Sequence, residues 1–141
     1  MKVLVIGESC NDVFHYGDCS RLCPDAPVPV FKLINSIKTW GMAKNVERNL
    51  TSLGAKVDLL TNNNFRKITK TRYMDNRTNH MFLRVDENDN MYGTFPEQEL
   101  DEVDFSEYDA VVVSDYNKGY LSNDILEKIS HKHEVTLIDT K

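Results

Sequence analysis

The chain has 141 residues, enough for one domain with a single modest core. It carries 22 Asp and Glu against 17 Lys and Arg, with no basic stripe or lysine-rich tail, which argues against nucleic acid or an anionic membrane as main partner. The longest apolar run near the N-terminus, residues 3–6, is too short for a signal peptide or a membrane span, so a cytoplasmic protein is expected.

Residues 3–6 (VLVI) are continuous, apolar and rich in β-branched side chains, as suits a strand buried on both faces of a parallel sheet. The following GESCNDV has one glycine and so lacks the G-x-G-x-x-G of a dinucleotide fold, and a P-loop is equally absent. Cys10, Cys19 and Cys23 are an odd set without a secretion signal and read as reduced thiols. Cys19 and Cys23 with His15 fall short of the four ligands of a closed zinc site; His131 and His133 offer no matching pair and read as solvated, so no metal site is expected. Residues 12–40 form an excursion whose prolines mark an extended approach, with Val28, Val30, Lys32 and Ile34 as a strand-like alternation near a sheet edge.

The stretch TWGMAKNVERNLTSLGA then predicts a helix. Ala43, Val46, Leu50 and Leu53 recur at steps of three and four on one face, while Lys44, Glu47, Arg48 and Ser52 fall on the other. Gly54 suits the left-handed residue that stops a helix. Gly41 permits a sharp turn or a close approach. The first-turn N–H groups suit an anion or a hydroxyl oxygen; equally, this is a plain core helix that starts after a tolerated glycine. Residues 57–60 are a further strand candidate. A second excursion, 67–86, holds two strand-like runs, 68–74 and 80–85, around the polar turn 75–79. Residues 110–113 read as a buried strand; Ser122 caps a helix striped with Ile125, Leu126 and Ile129; residues 135–138 close the pattern as a weaker strand. The order is that of an α/β domain over 1–141, with the two excursions forming a small β-sheet lid.

Ligands of open parallel sheets bind outside the carboxyl ends of the strands. There the sequence places Glu8 and Asp12, the Gly41 turn with Asn45, Asp115 with Lys118, and Lys141. A carboxylate such as Asp12 accepts hydrogen bonds from vicinal hydroxyls and Asn45 both donates and accepts, which is polyol-binding chemistry. Each also has a plain structural use: Asp12 capping a turn, Asp115 capping the loop before Ser122, Lys118 solvated.

Five segments, VLVIGESCNDVFHYGDCSRLCPDAPVPVFKL, GMAKNVERNLTSLGA, KITKTRYMDNRTNHMFLRVD, SDYNKGYLS and LIDTK, cover nearly the whole chain. In this order they resemble the ribokinase-like (PfkB-type) carbohydrate kinases, and most nearly the heptose 7-phosphate kinase domains of bacterial ADP-heptose biosynthesis. The resemblance implies a three-layer α/β/α, Rossmann-like parallel sheet with a β-sheet lid. It also implies transfer of the γ-phosphoryl group of ATP, with Mg²⁺, to a sugar hydroxyl. It assigns Asp12 and Asn45 to sugar hydroxyls, Gly41 to close backbone approach, and one of Arg72, Arg77 and Arg84 to a substrate phosphate. Asp115, Lys118 and Lys141 fall on the rim toward the nucleotide. Lid strands in such proteins often pair two subunits.

The departures are equally specific. The pattern stops at Lys141, about halfway, before the glycine-rich anion hole and catalytic aspartate, so no catalytic residue is assigned and a truncated domain is expected. Only TNNNFR stands where a further helix and strand are usual; Met42 and Lys44 replace small residues of the sugar turn; Glu8 replaces an aspartate. A sheet cut midway exposes an edge and an apolar face, which predicts a homodimer or a complementing chain. The expected function is that of a sugar-kinase homologue retaining the sugar-binding half, or else of a non-catalytic sugar-phosphate-binding or dimerisation module.

Overall fold

The computed structural model describes all of residues 1–141. It contains two four-stranded sheets. The base sheet has the order β4-β1-β7-β8, formed by β1 (Lys2–Gly7), β4 (Lys56–Leu60), β7 (Ala110–Asp115) and β8 (Thr136–Thr140), all parallel. The lid sheet has the order β3-β2-β5-β6, formed by β2 (Ser9–Asp18), β3 (Lys32–Met42), β5 (Thr69–Asp75) and β6 (Met81–Glu87). β2 runs antiparallel to β3 and parallel to β5, which is antiparallel to β6.

Side-chain alternation along β1 builds three layers. Val3 and Val5 face α1 (Ala43–Ser52) and pack with Ala43, Val46 and Leu50. Leu4 and Ile6 face the opposite way, into a core with Leu100 of α2 (Gln98–Glu102) and Ile125 and Ile129 of α3 (Asn123–Ser130). The register carries this across the sheet, with Leu4 beside Val111 and Ile6 beside Val113. The helix ends follow the expected chemistry: Ser122 accepts from the Ile125 N–H at 3.3 Å, and Gly54 takes the left-handed conformation at φ 90°.

One expectation is corrected, the start of the strand in the first excursion, while the short connection at residues 61–66 stands as expected. β2 begins at Ser9, where its backbone pairs with β3, and from Asn11 it pairs with β5 as well. The first excursion becomes a strand only at Lys32; the prolines precede it, and their one ladder-like contact is an isolated bridge between Leu22 and Pro29. β3 is nevertheless an edge strand, as those prolines suggested. Between β4 and β5 a 3-10 turn (Phe65–Lys67) is the only helical element, so the chain passes directly from base to lid. No helix is long and apolar enough to cross a membrane.

Candidate functional site

Strand order reverses at β1, whose neighbours β4 and β7 lie on opposite sides, so the topological switch point falls at the carboxyl ends of β1 and β7. The lid sheet leaves the base at that point, because β2 follows β1 after a single residue, Glu8. A cleft of about 400 Å³ opens between them, lined by Asp12, Met42, Lys70, Arg72 and Arg84 from the lid side and by Tyr116, Lys118 and Lys141 from the base.

Cations dominate this cleft. Arg72 and Arg84 are register partners, placing two guanidiniums opposite one another on adjacent strands. Like charges so placed repel, and the arrangement requires anions nearby. Asp12 accepts from Arg72 Nη1 at 2.6 Å, and Asp86 takes the Arg84 fork at 2.9 and 3.0 Å. Lys70 contacts both Asp86 and Asp89, and Lys118 reaches Asp89 at 2.6 Å. Burial opposes the charge on Asp89, but Lys118, Lys70 and the Tyr92 hydroxyl hold its carboxyl down to about 2. Lys141 has no carboxylate partner; its Nζ lies 4.3 Å from the centre of the Tyr116 ring, a cation–π contact.

The expected site residues separate into two groups. Asp12, Arg72, Arg84, Lys118 and Lys141 converge on the cleft. The others stand elsewhere. Asn45 is held by Arg48, which donates to its Oδ1 at 2.8 Å and also binds Thr39, and Asn45 does not line the cleft. Arg77 sits in the exposed turn between β5 and β6. Asp115 is buried and occupied: its carboxylate accepts from the Asn117 N–H at 2.9 Å and from the Thr140 hydroxyl at 2.6 Å, the loop-capping use.

Gly41 is packed closely by its neighbours on β2. It lies inside β3, and a Cβ there would stand 2.6 Å from Asp12 Oδ2 and 2.9 Å from Cys10 Sγ. The missing side chain makes room for the Asp12 carboxylate. The α1 N-terminus is likewise engaged from within. The Ala43 N–H donates to the Glu8 carbonyl at 2.9 Å and the Lys44 N–H to Ser9 Oγ at 3.0 Å.

Met42, just before the helix, has φ 61° and ψ −135°, a glycine-type conformation, while its side chain is buried and lines the cleft. Glu8 is fully buried. Its Oε1 accepts from the N–H groups of Tyr116 (3.0 Å) and Lys118 (3.3 Å), whereas its Oε2 has no partner. Burial raises its pKa, against the pull of those N–H groups.

Lys70, Asp86 and Asp89 were not singled out from the sequence. Lys70 and Asp86 belong to strands whose pairing is long-range, and Asp89 sits in a polar loop; the only visible signal was period-two placement with Arg72 and Arg84.

The two-sheet architecture is the ribokinase-like fold. A carbohydrate kinase from Agrobacterium tumefaciens superposes with a TM-score of 0.56 at 14% identity, covering 91% of this chain and 48% of that one. Ribokinase from Thermotoga maritima gives 0.51 at 12% identity, covering 97% and 52%. Phosphofructokinase-2 from Escherichia coli, in its tetrameric inhibited form, gives 0.53 at 8% identity, covering 99% and 55%.

No family model matches the sequence. The bifunctional protein HldE of Helicobacter pylori (strain J99) is 33% identical over a 173-residue alignment spanning 99% of this chain and 37% of its own length. HldE of Vibrio vulnificus is 32% identical over 149 residues, spanning 86% of this chain and 31% of its own. The chain thus has the ribokinase-like fold and is similar in sequence to HldE, and it spans about a third of the length of the curated relatives it matches. The Helicobacter alignment is longer than this chain, so the relative carries residues with no counterpart here.

Proposed function

We propose that the chain binds a sugar phosphate in the lid cleft, as the sugar-holding half of an ATP-dependent sugar kinase completed by a second polypeptide or by self-assembly. The observation that carries this reading is the convergence of one polyol-type acceptor, Asp12, with Lys70, Arg72, Arg84, Lys118 and Lys141 around about 400 Å³. Asp12 would accept from sugar hydroxyls, and the guanidinium and ammonium groups would meet the phosphate. A heptose phosphate is the proposed substrate, in keeping with the similarity to HldE.

The cleft carboxylates form no all-protein cage for a metal ion. They are engaged by cations, and no group of three or more His, Cys, Asp or Glu stands close enough together to hold a metal. No catalytic step through ATP or Mg²⁺ is therefore assigned to these residues.

Calorimetry with heptose 7-phosphate, the unphosphorylated sugar and ATP tests the proposal. Heptose 7-phosphate is expected to bind, and Asp12→Ala to weaken it by at least roughly tenfold, the loss of about one charged hydrogen bond. No binding at millimolar concentration would overturn the reading. A second reading, a dimerisation module, is favoured by the exposed Leu33, Ile34, Ile37, Phe82 and Leu83 of the lid strands. Light scattering distinguishes it: a stable monomer at micromolar concentration excludes pairing through the lid.

A further inference from the structure

Asp89 lies in the loop between β6 and α2, bounded by two left-handed residues, Asn88 at φ 57° and Gly93 at φ 73°. Its carboxylate touches Lys70 of the lid and Lys118 of the base, and accepts from the Tyr92 hydroxyl at 2.9 Å. Asp89 and Asp86 stand behind the cleft lining, on its lysines, and the neighbouring carboxylates pair only within the lid: Asp12 with Arg72, and Asp86 with Arg84 and Lys70. Asp89 alone among them bridges the two sheets.

Two ammonium groups converging on paired anionic oxygens is also the arrangement that grips a phosphate. We infer that Asp89 is the specificity-determining residue of the cleft: its carboxylate occupies the phosphate position between Lys70 and Lys118, and a phosphorylated ligand must displace it. The inference rests on the sugar-phosphate reading of the cleft. A doubly charged phosphate monoester brings more charge to the two lysines than the single charge of Asp89, so the exchange is favourable. A singly charged anion brings no more than Asp89 already supplies, and it pays the entropy of association besides. The tethered carboxylate therefore rejects monoanions and admits dianions. Tyr92, which is buried and also contacts Met42 Sδ at 3.5 Å, anchors the C-terminal side of the loop, so the displaced segment is short.

The test titrates wild type and Asp89→Asn with inorganic phosphate, acetate and heptose 7-phosphate at pH 8. The variant is expected to bind phosphate roughly tenfold more tightly, the scale of one charge-assisted hydrogen bond, and to discriminate less against acetate. Phosphate affinity that is unchanged or weaker in a variant with a wild-type unfolding transition overturns the inference, and leaves the sugar-phosphate reading standing if wild type binds heptose 7-phosphate. Silence of both proteins toward all three probes removes that reading and this inference together. Hydrogen exchange on wild type is a separate arm that needs no variant. Saturating phosphate is expected to speed exchange in residues 89–92, and slowed or unchanged exchange there counts against displacement.

Discussion

The base and lid sheets have the same number of strands but are held together by different means. In the base, Val3, Leu4, Val5 and Ile6 are almost wholly excluded from water, and helices cover both faces of β1. In the lid, Leu33, Ile34 and Ile37 of β3 and nearly all of β6 are exposed, and the cleft-facing surface is knitted by ion pairs. Apolar burial supplies stability in proportion to area, whereas partly exposed ion pairs supply little and chiefly fix geometry. The base is thus the part that folds the chain, and the lid the part that positions charge.

Two isoleucines sharpen that contrast most strongly. Ile6 is 0% exposed and Ile37 is 48% exposed. Ile6→Ala should cost about 2–5 kcal/mol of unfolding free energy, while Ile37→Ala should stay within about 0.5 kcal/mol. Urea denaturation measures both. A large loss from Ile37→Ala that grows with protein concentration would mean the lid face is buried against a second copy, and the two sheets would then differ less than the isolated chain suggests.

Met42 is where the two sheets meet, at the end of β3 and the start of α1. Its backbone is in a conformation that costs a side-chain-bearing residue about 1–3 kcal/mol, and its buried side chain returns about as much. Met42→Gly should therefore change stability by less than about 1.5 kcal/mol, because the two terms oppose each other. The same substitution removes a side chain from the cleft lining and should tighten sugar-phosphate binding. Binding that does not tighten would separate the turn from the ligand altogether.

The same division decides what could be read in advance. The base strands announced themselves as β-branched runs, and the helix from Ala43 was legible because its apolar stripe faces a core. β2 was not, because a strand such as SCNDVFHYGD, paired on both sides but covered by little, shows no clean hydrophobic alternation. Lys118 was visible as a charge near the rim, and Arg72 and Arg84, with Arg77, as lid arginines through the family resemblance, but Asp89, which ties Lys118 to Lys70, was not. Nothing local in ENDNMYG tells a bridging aspartate from a solvated one. The Asn45 contact was hidden for a similar reason: Arg48, one turn along the same helix, donates to its side chain.

The smallest effect concerns two acids that the sheets treat in opposite ways. Glu8, buried in the base, has its pKa raised, chiefly by burial; Asp89, between lid and base, is held near 2. An acid with a raised folded-state pKa contributes stability that is present below its unfolded value and lost as pH rises through the folded one. Asp89 behaves inversely: its contribution is present above the unfolded value of 3.8 and lost as pH falls toward 2. Glu8→Gln keeps an acceptor for the Tyr116 and Lys118 N–H groups and removes the charge, so it isolates the first term. At neutral pH the variant should be the more stable protein, because burial with an unpartnered Oε2 opposes in the folded state an ionisation that the unfolded chain undergoes freely. That advantage should shrink as pH falls toward 4.5, the ordinary value for the group, where wild-type Glu8 becomes neutral as well. Urea midpoints of the two proteins across pH 4.5–8 measure the convergence. Parallel curves would mean that Glu8 is not held against ionisation, and that the base accommodates a buried charge as readily as the lid does.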